Sequence, residues 1–339
     1  MTLVLPLLVA ATLGFAAERS PLVIAHRGAS GYLPEHTLPA IGYAHALGAD
    51  YLEQDVVLSK DGVPLVLHDI EIDTVTDVAK RFPGRQRANG HFYAIDFTLA
   101  EIKQLQVTER FDPKTGQAVY PQRFPLGQAT FSVPTLEEEL QFIAGLNRST
   151  GKKTGVYPEI KAPAWHRRQG QDISAIVLEV LARHGYRTKE DRFFLQCFDI
   201  VEVKRLRDEL GFKGKLVQLI GRHGGGESDD PRIDSTRDNT ELLRAEKLAS
   251  LAQWVDGIGP SMQHLVAVGE NGMTKPNDVV ARAHAAGLVV HPYTFRTDAL
   301  PKFAPNADAL LHLMLRELRV DGMFVDQPDV MVEFRKRAP

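Results

Sequence analysis

Short apolar runs recur along this chain with helix-length stretches between most of them, and that alternation is the tightest limit on its fold. Strands separated by helices pair in parallel, buried under the helices that connect them. Nine runs read as strands, at 22–25, 51–58, 63–67, 155–160, 192–198, 215–220, 256–259, 288–294 and 322–325. Helices are predicted between them. One spans about 37–47 and closes at Gly48; one opens on Thr135 with Glu138 three residues on and ends near Leu146. A third opens on Asp199 with Glu202 and ends near Leu210, a looser form of the same capping box.

Eight strands close a TIM-type (β/α)8 barrel, which needs about 250 residues; at 339 residues the chain has room for one insertion besides. The ninth run is explained by its connection. Only Ser59-Lys60-Asp61-Gly62 separates the second run from the third, far too little for a parallel crossover, and Asp-Gly favours a tight turn. The pair is therefore expected to be an antiparallel β2–β3 hairpin. With Asp61-Gly62 as a two-residue loop, Lys60 faces Val63 and His68 faces Asp55.

Between His68 and Thr135 lies a stretch that fits no barrel repeat. Its turn clusters (Pro83-Gly84, Asn89-Gly90, Asp112-Pro113, Thr115-Gly116) and one short helix at 99–105 read as a small insertion subdomain, 71–134, beside the barrel mouth. The barrel domain spans 21–335, and the segment from His223 to Asn239 reads as a polar loop. The glycines there lack the strand–turn–helix context of a phosphate loop. Residues 1–17 form an uncharged apolar run ending in small residues. That length suits a signal peptide and is too short to span a membrane, so an exported, periplasmic protein is expected.

Net charge is −3 and the Lys and Arg residues are scattered, which argues against nucleic acid or an anionic membrane surface as partner. The single cysteine, Cys197, excludes an intramolecular disulfide. Chemistry is concentrated where charged residues interrupt apolar strands. Glu53 and Asp55 sit two apart and so share one face of a strand, and Glu159-Ile160-Lys161 repeats that spacing with an acid and an ammonium. His26-Arg27 follows the first strand directly. Each pattern alone is common on ordinary surfaces; together they occupy strand ends, where barrels of this kind build their sites. Glu53, Asp55 and Glu159 offer only oxygen ligands, which suits Ca²⁺, with Mg²⁺ as the alternative, rather than Zn²⁺.

The run His26-Arg27-Gly28-Ala29-Ser30-Gly31-Tyr32-Leu33-Pro34-Glu35-His36-Thr37 resembles the opening motif of the glycerophosphodiester phosphodiesterase family. So do Glu53-Gln54-Asp55, Lys60-Asp61-Gly62 with His68-Asp69, and Pro158-Glu159-Ile160-Lys161. Gln196-Cys197-Phe198, Gly257-Ile258-Gly259-Pro260, His291-Pro292-Tyr293-Thr294 and Asp321-Gly322-Met323-Phe324-Val325-Asp326 continue the match in family order. One departure is Cys197, where a serine is common. The insertion, with Val75-Thr76-Asp77-Val78 and Arg81-Phe82-Pro83, is similar to the bacterial periplasmic, Ca²⁺-dependent branch.

The resemblance implies hydrolysis of small-molecule glycerophosphodiesters to sn-glycerol 3-phosphate and an alcohol. It makes His26 and His68 the acid–base pair and Glu53, Asp55 and Glu159 the metal ligands. Arg27 would bind phosphate and Lys161 would assist near the developing charge, with Gln196, Phe198 and Tyr293 completing the substrate-binding set. Two other readings share parts of this pattern: a phospholipase acting on intact lipid, and a periplasmic binding protein without turnover. A largely polar insertion and only 8% aromatic residues speak against the first, and the presence of both histidines against the second. Replacing His26 or His68 with alanine is expected to lower turnover by about 10²–10⁴-fold with the fold intact. Near-normal rates in both variants would remove the acid–base assignment.

Overall fold

Eight parallel strands form a ring in the computed structural model, which describes residues 20–221, 238–268 and 274–337. The apolar run at 1–17 and most of the loop at 223–239 lie outside the described residues. In chain order the strands are β1 (Leu22–Ala25), β2 (Tyr51–Leu58), β3 (Pro64–Val66), β4 (Gly155–Ile160), β5 (Phe194–Cys197) and β6 (Lys215–Ile220). They continue with β7 (Gly257–Pro260), β8 (Val266–Val268), β9 (Thr274–Pro276), β10 (Val289–Val290) and β11 (Gly322–Val325). The main sheet runs β10-β7-β6-β5-β4-β2-β1-β11, with every neighbour parallel. Its two ends meet through Asp321 N–H to Val290 O (3.0 Å), Phe324 N–H to Pro292 O (3.1 Å) and Phe295 N–H to Phe324 O (2.9 Å), which closes a TIM-type barrel. The run at 288–294 yields only two strand residues because Pro292 has no N–H to give to a ladder. Strands β8 and β9 pair as a separate two-stranded sheet that the sequence does not announce.

Strands β2 and β4 are buried along their whole length, as expected where helices cover one face and the barrel interior the other. Outward residues such as Val23, Leu52, Val56, Val156 and Leu195 join the helices in the main core. Inward residues fall into layers. The lower layers carry Ile24, Tyr51, Tyr157, Phe194, Val217 and Phe324. Tyr157 stacks on Phe194 with ring centres 4.8 Å apart, and Tyr51 and Phe324 meet the same pair edge-on. Above this aromatic floor the inward positions turn polar. Asp55 stands beside Glu159, and Glu159 beside Gln196, in one row across β2, β4 and β5.

The helices start where the capping residues place them. Thr37 caps Leu38–Ala46, and Thr135 with Glu138 forms a reciprocal capping box on Leu136–Thr150. Asp199 accepts from Val201 N–H and Glu202 N–H, but Glu202 does not answer it; its carboxylate is drawn to Ser174 and Arg205 instead. The helix expected at 99–105 stops at Ile102, after which Val107 bridges to Phe131.

One expectation about register needs correction. Strand β3 pairs antiparallel with β2, but Val56 faces Val66 and Leu58 faces Pro64, one residue away from the register that sets His68 against Asp55. The loop holds three residues, not two. Ser59 pairs with Val63, and Gly62 takes φ +76° at the last loop position, as in a turn closed by a glycine bulge. Ser59 Oγ donates to Asp61 Oδ1 and accepts from Val63 N–H, which favours the longer loop. Asp55 therefore pairs with Leu67, whose N–H reaches Asp55 O at 2.9 Å, and His68 lies past the end of β3.

Segment 71–134 packs a second core, including Ile72, Val78, Tyr93, Phe97 and Val107, against Val57, Leu65 and Leu67 of the β2–β3 pair. Trp165 extends this core by stacking on Tyr93 at 5.6 Å. At the barrel floor, a Cβ at Gly155 would lie 2.4 Å from the Tyr51 ring and 2.6 Å from Arg192 O. Gly155→Ala is therefore expected to cost about 1–3 kcal/mol, read as a lower urea midpoint. An unchanged midpoint would show that the floor can yield.

Candidate active site and metal centre

The polar layer at the C-terminal ends of the strands opens into two adjoining cavities. The inner one, about 270 Å³, is lined by Glu53, Asp55, Glu159, Lys161, Gln196, Phe198 and Tyr293 among others. The outer one, about 190 Å³, is lined by Ser30, Glu35, Arg110, Tyr120, Arg123 and Asp326. His26, Arg27, His68 and Arg296 line both. All ten residues that the sequence singles out thus meet in one place, although His68 arrives by a route other than the predicted register.

Glu53, Asp55 and Glu159 bring one carboxylate oxygen each within 4.8 Å of one another. All three are at least 95% buried. Three anions cannot share such a pocket without cations, and their protonation shows it. Burial, together with Asp55 and Glu159, pushes Glu53 well above the usual carboxylate range. Burial also pushes Glu159 up to about 8, helped by Asp55 and only partly opposed by Lys161. Asp55 goes the other way; against its burial, the Lys161 ammonium and the hydrogen bond from His36 hold it well below the usual carboxylate range. Lys161 Nζ lies 2.7 Å from Glu159 and 3.5 Å from Asp55. Asp55 Oδ1 is buried and accepts no hydrogen bond. An oxygen-only cluster in which Asp55 Oδ1 accepts no hydrogen bond and Glu159 is pushed up to about 8 fits a hard divalent cation.

Partners from the surrounding shell orient these acids. Gln196 Nε2 donates to Glu53 Oε1 at 2.9 Å, so this amide, expected to bind substrate, is engaged by a ligand carboxylate. Arg27 N–H donates to Glu53 Oε2 at 2.9 Å, which the backbone achieves by placing Arg27 at φ +56° and Gly28 at φ +80°. A Cβ at Gly28 would lie 2.8 Å from the Ala40 carbonyl carbon, so only glycine fits that turn. His36 Nε2 meets Asp55 Oδ2 at 2.7 Å.

The two histidines are held alike. His26 Nδ1 lies 2.7 Å from Asp326 Oδ1, and His68 Nδ1 lies 2.7 Å from Asp69 Oδ1. Each ring thereby turns Nε2 toward the cavity. Burial, then Arg27, lowers His26 to about 3 and His68 to about 4, so without a bound anion both rings are neutral at pH 7. The Arg27 guanidinium is held by Glu35 through Nη1 at 3.0 and 3.1 Å. Phe198 and Tyr293 meet edge-to-face at 5.8 Å and form the apolar wall.

Several residues at the site escape sequence reasoning. Glu35, His36, Asp69 and Asp326 stand inside recognisable motifs but carry no pattern that gives them a role. Asp326 follows β11 directly, and the rule that singled out His26 at the end of β1 applies to it equally. Arg110 and Arg123 come from the insertion and Arg296 from a loop; nothing local marks them.

Comparison with known proteins places this geometry in context. A model of the glycerophosphoryl diester phosphodiesterase family matches residues 26–330. A glycerophosphodiester phosphodiesterase of Haemophilus influenzae is 44% identical over 329 residues, covering 93% of this chain and 90% of its own. One from Treponema pallidum is 38% identical over 335 residues, covering 95% and 93%. A solved Oleispira antarctica phosphodiesterase, in complex with the product sn-glycerol-3-phosphate, superposes with a TM-score of 0.61 at 22% identity, covering 94% of this chain and 97% of that one.

Because Glu159 is pushed up to about 8, loading a divalent cation near pH 7 is expected to release protons and raise the melting temperature. Affinity should climb as pH rises toward 8 and then level off. Calorimetry in buffers of different ionisation enthalpy reads the proton release; an enthalpy independent of buffer would contradict it.

Proposed function

The chain belongs to the glycerophosphoryl diester phosphodiesterase family, and on that premise we propose that it hydrolyses glycerophosphodiesters to sn-glycerol 3-phosphate and a free alcohol. The observation that carries this reading is the convergence of two aspartate-held imidazoles, an arginine, a lysine and three buried carboxylates on one cavity.

A phosphodiester is anionic and resists nucleophiles. Arg27 sits in the wall between the two cavities, where its guanidinium can hold the phosphate oxygens. Glu53, Asp55 and Glu159 would hold the cation, and Ca²⁺ is the ion we propose. When bound it neutralises charge on the phosphoryl group. The glycerol moiety lies in the inner cavity against Phe198 and Tyr293, which places its 2-hydroxyl beside the phosphorus. His26 removes the proton of that hydroxyl as its oxygen bonds to phosphorus. The bond to the departing alcohol breaks, and His68, which takes a proton on Nε2 as the anionic substrate binds, gives that proton to the alcohol. Water then opens the cyclic phosphate with the two roles reversed. Holding an internal nucleophile in place can supply about 7–11 kcal/mol.

The assignment of His68 to the leaving side follows exposure: its side chain is 30% accessible against 9% for His26, so the alcohol departs toward solvent past His68. Lys161 stands by the carboxylate row, where charge accumulates on phosphorus oxygens. Among the described residues the outer cavity is lined mainly by charged and hydrogen-bonding side chains, which favours deacylated substrates over intact lipid. Export to the periplasm, where Ca²⁺ is available, belongs to the same proposal and rests on the apolar run at 1–17.

The decisive assay follows sn-glycerol 3-phosphate release from glycerophosphocholine, with added Ca²⁺ and with chelator, beside intact phosphatidylinositol and sphingomyelin. Cation-dependent release from the deacylated substrate alone is expected. Turnover that survives chelation would exclude the metal role, and preference for intact lipid would exclude the substrate class.

A further inference from the structure

The two histidines share more than an aspartate each. Asp69, which holds His68, receives Arg110 Nη1 on its other oxygen at 2.6 Å. Asp326, which holds His26, receives Arg123 Nη2 on its other oxygen at 2.6 Å. Both arginines belong to segment 71–134, and neither belongs to a barrel strand. We propose that Arg110 and Arg123 are positioning residues, and that the insertion serves catalysis by locking two parallel histidine–aspartate–arginine relays. The proposal rests on the reading of His26 and His68 as the acid–base pair.

Geometry around each arginine supports a built lock. Arg110 also grips Glu35 through Nε (3.1 Å) and Nη2 (2.6 Å) and reaches Thr74 Oγ1 at 3.2 Å. Glu35 in turn holds Arg27, so one guanidinium from the insertion fixes His68 through Asp69 and the phosphate-facing Arg27 through Glu35. Arg123 clasps Asp298 through Nε (2.7 Å) and Nη2 (3.0 Å), donates to Ser30 O at 3.2 Å, and lies over the Tyr120 ring at 3.7 Å. Its side chain is only 4% accessible, and that of Arg110 is 16%. Arg296 Nε meets the same Asp326 oxygen at 2.9 Å, so the His26 arm is braced twice and the His68 arm once.

An aspartate that accepts from Nδ1–H keeps the Nε2 atom of the ring toward the substrate. It does so only if its own orientation is fixed, because a carboxylate free to rotate can leave the ring. In each relay the second oxygen is fixed by a guanidinium, whose planar fork admits one orientation. Against burial, Arg110 and then His68 keep Asp69 well below the usual carboxylate range, and His26, with Arg296 and Arg123 behind it, does the same for Asp326, so each stays an acceptor.

The test compares Arg110→Met and Arg123→Met on two substrates with Ca²⁺ present: glycerophosphocholine, whose alkoxide must be protonated as it leaves, and the p-nitrophenyl ester of sn-glycerol 3-phosphate, whose phenolate needs no acid. On glycerophosphocholine each variant should lose roughly 10–100-fold in kcat, the size typical of losing an orienting partner, with KM little changed for Arg123→Met and raised for Arg110→Met, which also frees Arg27. On the nitrophenyl ester the Arg110 variant should regain most of that loss and the Arg123 variant none. A recovery confined to the Arg123 variant would still support the relays and would exchange the acid and base roles. Equal losses on both substrates, or none on either, would overturn the proposal. Should either methionine variant fail to fold, Asp69→Asn and Asp326→Asn enter the same comparison with the same expected pattern. Wild-type turnover on glycerophosphocholine separates the two levels. If the wild type is active and both variants match it, only the relays fall; an inactive wild type takes the parent reading with it.

Discussion

Three carboxylates buried within 4.8 Å of one another set the terms for the rest of this molecule. Their mutual repulsion and desolvation would be prohibitive if left unanswered. The barrel answers with permanent cations at the rim: Lys161 against Glu159 and Asp55, and Arg27 at 3.5 Å from Asp55. A residual need for positive charge remains, because burial and mutual repulsion push Glu53 and Glu159 above the usual carboxylate range. The same imbalance that would destabilise an ordinary core is what a divalent cation, and through it an anionic substrate, can relieve. Position along the strands makes this tolerable. The acids sit above the aromatic layer, at the strand ends, where the cavity admits water and ligand.

Much of this was legible because barrel strands obey a period of two. Glu53 and Asp55 had to share a face, and parallel neighbours then align Asp55 with Glu159 and Gln196 without further instruction. The alternation of strands and helices carried the architecture, and Thr135 with Glu138 located a helix start to the residue. What failed was register. One residue more in the loop after Ser59 shifts the whole β2–β3 pairing, and the competing two- and three-residue turns use the same Lys-Asp-Gly letters. His68 still reaches the site because the chain leaves β3 before it, so its placement depends on the bond to neighbouring Asp69, itself held by Arg110, and not on strand geometry.

The arginines from the insertion were illegible for a different reason. A guanidinium on a long side chain acts where its tip is, and Arg110 and Arg123 come from irregular backbone far along the chain from their partners. No periodicity relates Arg123 to Asp326 across 203 residues. A second core joins the insertion firmly to β2 and β3, which gives these side chains a fixed base from which to reach inward. The insertion is thus bonded into the pocket wall, through charge pairs that a freely moving cover could not keep.

The aromatic floor has a corollary for traffic. Tyr51, Tyr157, Phe194 and Phe324 stop the bore, so among the described residues the chamber is a cul-de-sac that opens away from this floor. Whatever occupies the inner end must wait for the outer occupant to go. In the reaction proposed, the alcohol is first out and glycerol phosphate last, and a surplus of glycerol phosphate outside queues for the very berth that the next diester needs.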